Sequence, residues 1–364
     1  MILVVNAGSS SLRLAAYEAD PGLRPLATGH LRVPETPDAA VFRSFLNEHR
    51  LPEVGCVVHR VVHGGPRFRG GVRLDGDVEA EIDRLGALAP LHNPPSLAWI
   101  RAARALVRAG TPQVAAFDTA FYADLPEAAA SYALPADLCR RHDIRRYGFH
   151  GLAHQSMLAS WSARGGDPEA RLVSVQLGSG CSITAIRGGR PLDTSMGFSP
   201  LEGLMMATRS GDLDPAVVLH LLAHGDFTPA SLLELLNRRS GLLGVSGRTA
   251  QMSDLARSTD PAAQRAVALF CHRLRKYLGA YLAVLGGADG VLLGGGIAEH
   301  SPDIRARALD GFEWADLHLD VEANRTLPPA GGPIHRAGSA TAILVTPVDE
   351  MVIMARAALE VLSG

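Results

Sequence analysis

The chain has 364 residues, 47% of them hydrophobic and 20% charged, with a formal net charge of −2. This is enough apolar material for a full core, and chains of this size divide into two domains rather than enlarge one. The near-neutral charge excludes the basic surface that nucleic acid or an acidic membrane would need, so neither is expected as a partner.

The opening run Met1-Ile2-Leu3-Val4-Val5 lacks the positive flank of a signal peptide. Apolar runs such as 281–285 are broken by Gly286, Gly287 and Asp289 well before the ~18 residues of a membrane span. A cytoplasmic protein is expected. Cys56, Cys139, Cys181 and Cys271 form no CxxC pair, which argues for buried or incidental thiols over a zinc site or disulfide framework.

A first strand over 2–5 ends in Asn6-Ala7-Gly8-Ser9-Ser10-Ser11, and the alternation of Leu12, Leu14 and Ala16 predicts a returning second strand. Further strands are predicted at 55–62, 113–117, 172–177, 182–186 and 290–293. Helices are predicted at 78–88, 96–107, 154–163, 216–223 and 263–285. In the last, Phe270, Leu274, Tyr277, Leu278, Tyr281 and Leu285 recur at helical spacing and gather on one stripe. Strands alternating with helices give an α/β architecture. The string Val5-Asn6-Ala7-Gly8-Ser9 returns as Val175-Gln176-Leu177-Gly178-Ser179, again at the end of an apolar strand. The echo reads either as a duplication or as a chance recurrence of a common strand-turn-strand pattern.

Turns of small residues after a strand leave backbone N–H groups free to point at an anion, and such loops suit phosphate. Gly294-Gly295-Gly296-Ile297-Ala298-Glu299 is a third of this kind, following a strand and opening a helix. Each alone is also compatible with an ordinary loop. Arg60 in His59-Arg60-Val61-Val62-His63-Gly64-Gly65 and Arg209 in Thr208-Arg209-Ser210-Gly211-Asp212 sit among Gly, His and Ser rather than on a charged helical face. An arginine fork there can grip a carboxylate or phosphate; the alternative is a solvated cation. Asp118 follows an apolar strand, where a carboxylate either caps a helix or serves a site. His150 can donate to a transferring phosphoryl group or be structural.

Together these strings resemble the acetate kinases, the acetokinase family of short-chain carboxylate kinases, over essentially the whole length and in family order. The resemblance also takes in Pro90-Leu91-His92-Asn93-Pro94, Phe117-Asp118-Thr119-Ala120-Phe121 and Arg145-Arg146-Tyr147-Gly148-Phe149-His150-Gly151. Further on it includes Asp193-Thr194-Ser195-Met196-Gly197, Pro200-Leu201-Glu202-Gly203 and Ser240-Gly241-Leu242. It implies a duplicated ribonuclease H-like, actin-like ATPase fold of two domains around a cleft. The expected limits are 1–149 with about 349–364 returning as a C-terminal helix, the acyl side, and 150–348, the nucleotide side. It implies phosphoryl transfer between ATP and acetate or propionate, a small-molecule carboxylate and nucleotide as partners, and a homodimer. Arg60 and Arg209 then hold the carboxylate and the transferring phosphoryl group, His150 stabilises its developing charge, and Asp118 orients the acceptor or metal. Val62, Leu91, Phe149 and Pro200 line the acyl pocket. Asn6 and Glu350 serve Mg²⁺ (or Mn²⁺), and Ser11 joins Asn6 near the phosphate.

The remaining nucleotide-side positions are Arg13, Gln176, Gly178, Ser179, Gly180, Gln251, Ser253, Gly295, Gly296, Ile297 and Glu299, and here the sequence departs from the family. Gln176-Leu177-Gly178-Ser179-Gly180 stands where the family has His-Leu-Gly-Asn-Gly. Gln251 and Ser253 replace an Asp and an Arg beside the adenosine, Arg13 replaces a Lys, and Gly296-Ile297-Ala298-Glu299-His300 replaces Gly-Ile-Gly-Glu-Asn. Pyrophosphate or another nucleotide as donor, a longer acid such as butyrate, and a weakly active ligand-binding paralogue are the competing readings.

Overall fold

Ile2, Leu3 and Val4 have no exposed surface, as an apolar run covered on both faces requires, and they form the middle of one of two six-stranded sheets. The computed structural model describes residues 1–8, 11–32 and 37–363; Ser9 and Ser10 of the first loop lie outside them. The first sheet comprises β1 (Ile2–Ala7), β2 (Ser11–Tyr17), β3 (Pro25–Arg32), β4 (Cys56–Val61), β5 (Val72–Arg73) and β6 (Gln113–Phe117). The second comprises β7 (Arg171–Leu177), β8 (Cys181–Arg187), β9 (Arg190–Thr194), β10 (Gly290–Gly294), β11 (Gly332–Pro333) and β12 (Ala342–Val345).

The strand orders are β3-β2-β1-β4-β6-β5 and, read from the other edge, β9-β8-β7-β10-β12-β11. In both, the leading strand pairs antiparallel with the next and parallel with the fourth, which pairs parallel with a further strand carrying an antiparallel edge strand. The loop echo between Asn6 and Gln176 is thus part of a duplicated sheet, one of its two readings.

By internal contacts the chain divides into residues 1–123, 149–156 and 349–364, and residues 124–148 and 157–348. Residues 124–148, assigned above to the first domain, group with the second sheet because Arg146 pairs with Glu202 at 2.7 Å and Tyr147 N–H donates to Gly197 O at 3.0 Å. In the first unit Leu3, Val5, Leu12 and Leu14 pack with Phe42 and Trp99, whose rings meet edge-on at 5.4 Å. The C-terminal helix Glu350–Ser363 packs on β1 and β4. In the second unit the helix Pro261–Leu285 begins at Asp260, whose side chain accepts from Ala262 and Ala263 N–H, and ends at Gly286 in the left-handed conformation. Its buried stripe contains Phe270, Leu274, Leu278, Tyr281 and Leu285; Tyr277 lies half-buried at its edge.

Candidate active site

In the first unit, the ends of three neighbouring strands bring Asn6, Arg60 and Asp118 together, and Glu350, the first residue of the C-terminal helix, joins them. Val61 of β4 pairs with Phe117 of β6, and Asp118 N–H extends the ladder to Val61 O at 3.1 Å, so Arg60 and Asp118 finish side by side. Arg60 Nε donates to Asp118 Oδ1 at 2.9 Å and Nη2 to Oδ2 at 2.6 Å, a bidentate fork. Its Nη1 lies 3.3 Å from Asn6 Oδ1 and 3.6 Å from Glu350 Oε2, and Asn6 Nδ2 donates to that same Glu350 oxygen at 2.7 Å. Asp118 is 1% exposed and Arg60 15%. Both Asp118 oxygens are on Arg60. Burial pushes the Asp118 carboxyl pKa up and Glu350 adds to this, while the Arg60 guanidinium opposes it. Burial works against the Arg60 cation, but Asp118 and Glu350 outweigh it, so its pKa is raised and it stays charged.

His150 belongs to the same centre through its backbone. Its N–H bonds the Asp118 carboxylate, and Gly151 N–H donates to Asp118 O at 3.0 Å. His150 has φ +58°, a conformation costing about 1–3 kcal/mol for a residue with a side chain. The fold holds it there, with Tyr122 Oη donating to Phe149 O at 3.0 Å. Phe149 and Val62 are buried and Leu91 half-buried. Their segments touch: His63 meets Phe149 edge-on at 5.4 Å, and buried Asn93 accepts from His63 N–H at 3.1 Å while donating to His63 O at 3.0 Å. Ser11 opens β2 and its carbonyl accepts from Gly8 N–H at 2.8 Å; Arg13 is exposed and pairs in register with Asn6.

In the second unit, two glycine turns lie against each other. Gly178 N–H donates to Gly180 O at 3.0 Å. Gly295 has φ +84°, and a Cβ there would stand 2.6 Å from Leu177 O and 2.8 Å from Gln176 Nε2, so only glycine fits. Gln176 Oε1 is buried and has no hydrogen-bond partner. Glu299 turns inward: its Oε1 accepts from Gly295 N–H at 2.9 Å and Val348 N–H at 3.3 Å. Gly296 and Ser179 are exposed and Ile297 half-buried. Ser179 O accepts from Ala207 N–H at 3.1 Å, which brings this loop to the segment of Arg209; Arg209 Nη1 donates to the carbonyl of buried Pro200 at 2.7 Å. Gln251 and Ser253 are exposed at the start of the helix Met252–Arg257 and bond locally, Gln251 N–H to Thr249 Oγ1 at 3.1 Å and Ser253 Oγ to Asp254 Oδ1 at 3.4 Å.

Sequence reasoning passed over Asn93, Arg146, Glu202 and Tyr132. Arg146 and Glu202 lie within strings that had been singled out, but only the fold shows that they pair. Tyr132 completes the group, its hydroxyl on Glu202 and its ring 5.6 Å from the Arg146 guanidinium carbon.

The oxygens of Asn6, Glu350 and Asp118 are hard donors of the kind Mg²⁺ or Mn²⁺ takes. Mg²⁺ keeps several waters and binds through one or two carboxylates plus substrate phosphates, so this set fits it. Among the described residues no group of three or more His, Cys, Asp and Glu side chains forms a metal cage. The glycine turns, with open backbone at Gly296 and Ser179, fit phosphate oxygens.

Twin sheets of this order make an α/β protein of two like units, one carrying a buried arginine fork able to grip an anion and the other glycine turns that suit phosphate. The family model described as the Acetokinase family matches residues 39–356. An acetate kinase from Clavibacter michiganensis is 42% identical with both chains covered completely, and one from Solibacter usitatus is 44% identical over 84% of this chain and 75% of its own. Among solved structures, acetate kinase from Porphyromonas gingivalis superposes with a TM-score of 0.88 at 33% identity, covering 99% of each chain. A propionate kinase from Francisella tularensis superposes at 0.89 with 32% identity, covering 98% of each. The chain belongs to the acetokinase family.

Proposed function

We propose that this chain is an acetate kinase that transfers the terminal phosphoryl group of ATP reversibly to acetate or propionate, giving the acyl phosphate and ADP. A carboxylate oxygen of the acid attacks phosphorus as the bond to the ADP oxygen breaks. Such a transfer asks the protein mainly for in-line positioning and for positive charge around the equatorial oxygens. Arg60 grips the acceptor carboxylate, and Asp118 orients that fork. Arg209 meets the transferring phosphoryl group and His150 donates to the charge that develops on it. Val62, Leu91, Phe149 and Pro200 are the positions that the family resemblance gives to the pocket for the short alkyl group, and this reading keeps them in that role. Asn6 and Glu350, with Asp118 beside them, would hold Mg²⁺ or Mn²⁺, which supplies charge neutralisation on the donor phosphates. Ser11, Arg13, Gln176, Gly178, Ser179, Gly180, Gly295, Gly296 and Ile297 serve the donor phosphates, Glu299 shapes their turn, and Gln251 and Ser253 serve the nucleoside.

The observation that carries this reading is the Arg60–Asp118 fork beside Asn6 and Glu350, in a chain of the acetokinase family. No helix is long and apolar enough to cross a membrane among the described residues. A cytoplasmic homodimer is the setting that goes with the reading, supported by the family resemblance.

The test is a hydroxamate assay of acyl phosphate formed from acetate and Mg²⁺, with ATP, GTP and pyrophosphate in parallel and Arg209→Ala as control. Turnover with ATP that falls at least about 100-fold in the control is expected. Well-folded protein that forms no acyl phosphate with any donor would sink the proposal; a donor other than ATP would relocate it to the altered residues Gln176, Gln251 and Ser253.

A further inference from the structure

The loop that carries Arg209 doubles back on itself over residues 203–212. At its tip Met206 N–H donates to Arg209 O at 3.1 Å, and at its base Asp212 N–H donates to Gly203 O at 2.9 Å. The tip rests on the segment 240–242, where Ser240 N–H donates to Thr208 O at 3.0 Å and Leu242 N–H to Met206 O at 2.9 Å. Closing the base needs backbone approaches that a side chain would prevent: Gly211 has φ +67°, and a Cβ there would stand 2.5 Å from Gly203 O and 2.6 Å from Leu204 O.

A carboxylate then closes the base a second time. Asp212 Oδ1 accepts from Gly203 N–H at 2.8 Å, and its other oxygen accepts from Tyr277 Oη, also at 2.8 Å. Tyr277 stands on the 25-residue helix Pro261–Leu285, so the loop is tied to a long rigid element by a hydrogen bond to a charged group. Burial first, and Asp212 second, raise the Tyr277 pKa and keep the phenol a donor at neutral pH. Glu202, next to Gly203, is fixed independently by Arg146 at 2.7 Å. Both sides of the base are therefore pinned, while Arg209 is linked through the loop to that base.

The geometry points to Asp212 and Tyr277 as positioning residues that set the aim of the Arg209 guanidinium. The inference rests on the proposed assignment of Arg209 to the transferring phosphoryl group. A cation that stabilises a transition state must be placed closely, because a shift of about 1 Å can cost about 100-fold in rate. Removing the phenol releases the helix from Asp212, and neutralising Asp212 weakens both clamps at once.

The experiment compares Tyr277→Phe and Asp212→Asn alone and each combined with Arg209→Lys, using the hydroxamate assay with ATP, acetate and Mg²⁺ and thermal unfolding of every variant. Tyr277→Phe is expected to lower kcat roughly tenfold and Asp212→Asn roughly thirtyfold, with KM for ATP and acetate within about twofold. In the Arg209→Lys background neither change is expected to lower kcat further. Folded Tyr277→Phe with unchanged kcat, or losses that multiply with Arg209→Lys, would overturn the positioning role and leave Arg209 itself untouched. Unchanged kcat in Arg209→Lys alone would overturn both. If Asp212→Asn does not fold, Tyr277→Phe, which removes a single oxygen, decides the matter.

Discussion

Arg60 with Asp118 in the first unit and Arg171 with Asp289 in the second form arginine forks of nearly the same geometry. The first has contacts of 2.9 and 2.6 Å, the second of 3.2 and 2.6 Å. Their surroundings differ. Side-chain exposures are 15% and 1% for the first pair and 36% and 44% for the second. Arg171 also donates to Gly286 O at 2.7 Å, so its fork staples the start of β7 to the turn after the long helix. Contact geometry therefore does not separate the proposed site from a staple. Taking two charges out of water is costly unless the pair is well made, and an ion pair kept under that cost at strand ends is a stronger sign of function than any distance.

The sharpest way to break the comparison is to remove one partner of each fork. Asp118→Ala leaves a nearly buried guanidinium without its carboxylate, and a loss of about 3–5 kcal/mol in unfolding free energy is expected from urea denaturation. Acyl phosphate formation should fall at least about 100-fold, because Arg60 loses its orientation as well as its partner. A folded Asp118→Ala protein as stable as the parent would show that the first fork is as dispensable as an exposed pair.

A second buried group on the first sheet resolves its charge in the opposite way. His59 is 1% exposed, its Nε2 lies 2.7 Å from Gln113 Oε1, and its Nδ1 has no partner. Burial holds its pKa down to about 4, with Gln113 opposing and Arg104 adding, so His59 is neutral where Arg60 beside it is charged. The folded value lies below the unfolded one, near 6.5, so the unfolded chain takes up the proton first. Stability is full above pH 6.5 and declines toward pH 4, by up to about 3 kcal/mol from this group. Urea midpoints measured from pH 7 to pH 4.5 should drop, and should drop less in His59→Gln. Equal slopes for the two proteins would remove His59 from the account.

How far the sequence reaches follows the same division. Strands covered on both faces, such as β1 and β6, are continuous apolar runs and were visible at once; β6 matches its predicted limits of 113–117. Strands at the margins, β3, β5, β9 and β11, are short or half-exposed and leave no such run, and four-residue β12 was missed with them. The helix predicted at 96–107 begins at Asn93, because Pro94 and Pro95 occupy its first turn, where a missing N–H costs nothing. For the site, the strings around Arg60, Asp118 and His150 could be read as chemistry, but the fork itself joins residues 58 positions apart and Asn6 meets Glu350 across 344. Only strand order places them together. The clamp of Asp212 on Tyr277 was hidden for a further reason: at helical spacing, Tyr277 looked like one more member of an apolar stripe.

The smallest effect is expected from the exposed fork. Arg171→Gln keeps a side chain able to donate hydrogen bonds and removes a charge already shared with water. The expected loss is about 0–1 kcal/mol, with kcat and both KM values unchanged. Hydrogen bonding from Arg171 holds the Asp289 carboxyl below the usual carboxylate range, so whatever the pair contributes is present at neutral pH and disappears only as the pH falls through that lowered value. High salt should shrink the difference between parent and variant further, since exposed charges are screened within about 10 Å at 0.1 M ionic strength. If Arg171→Gln instead destabilised the protein as much as Asp118→Ala, burial would no longer explain the difference between the two forks, and the hydrogen bond to Gly286 O would have to be treated as the stronger anchor.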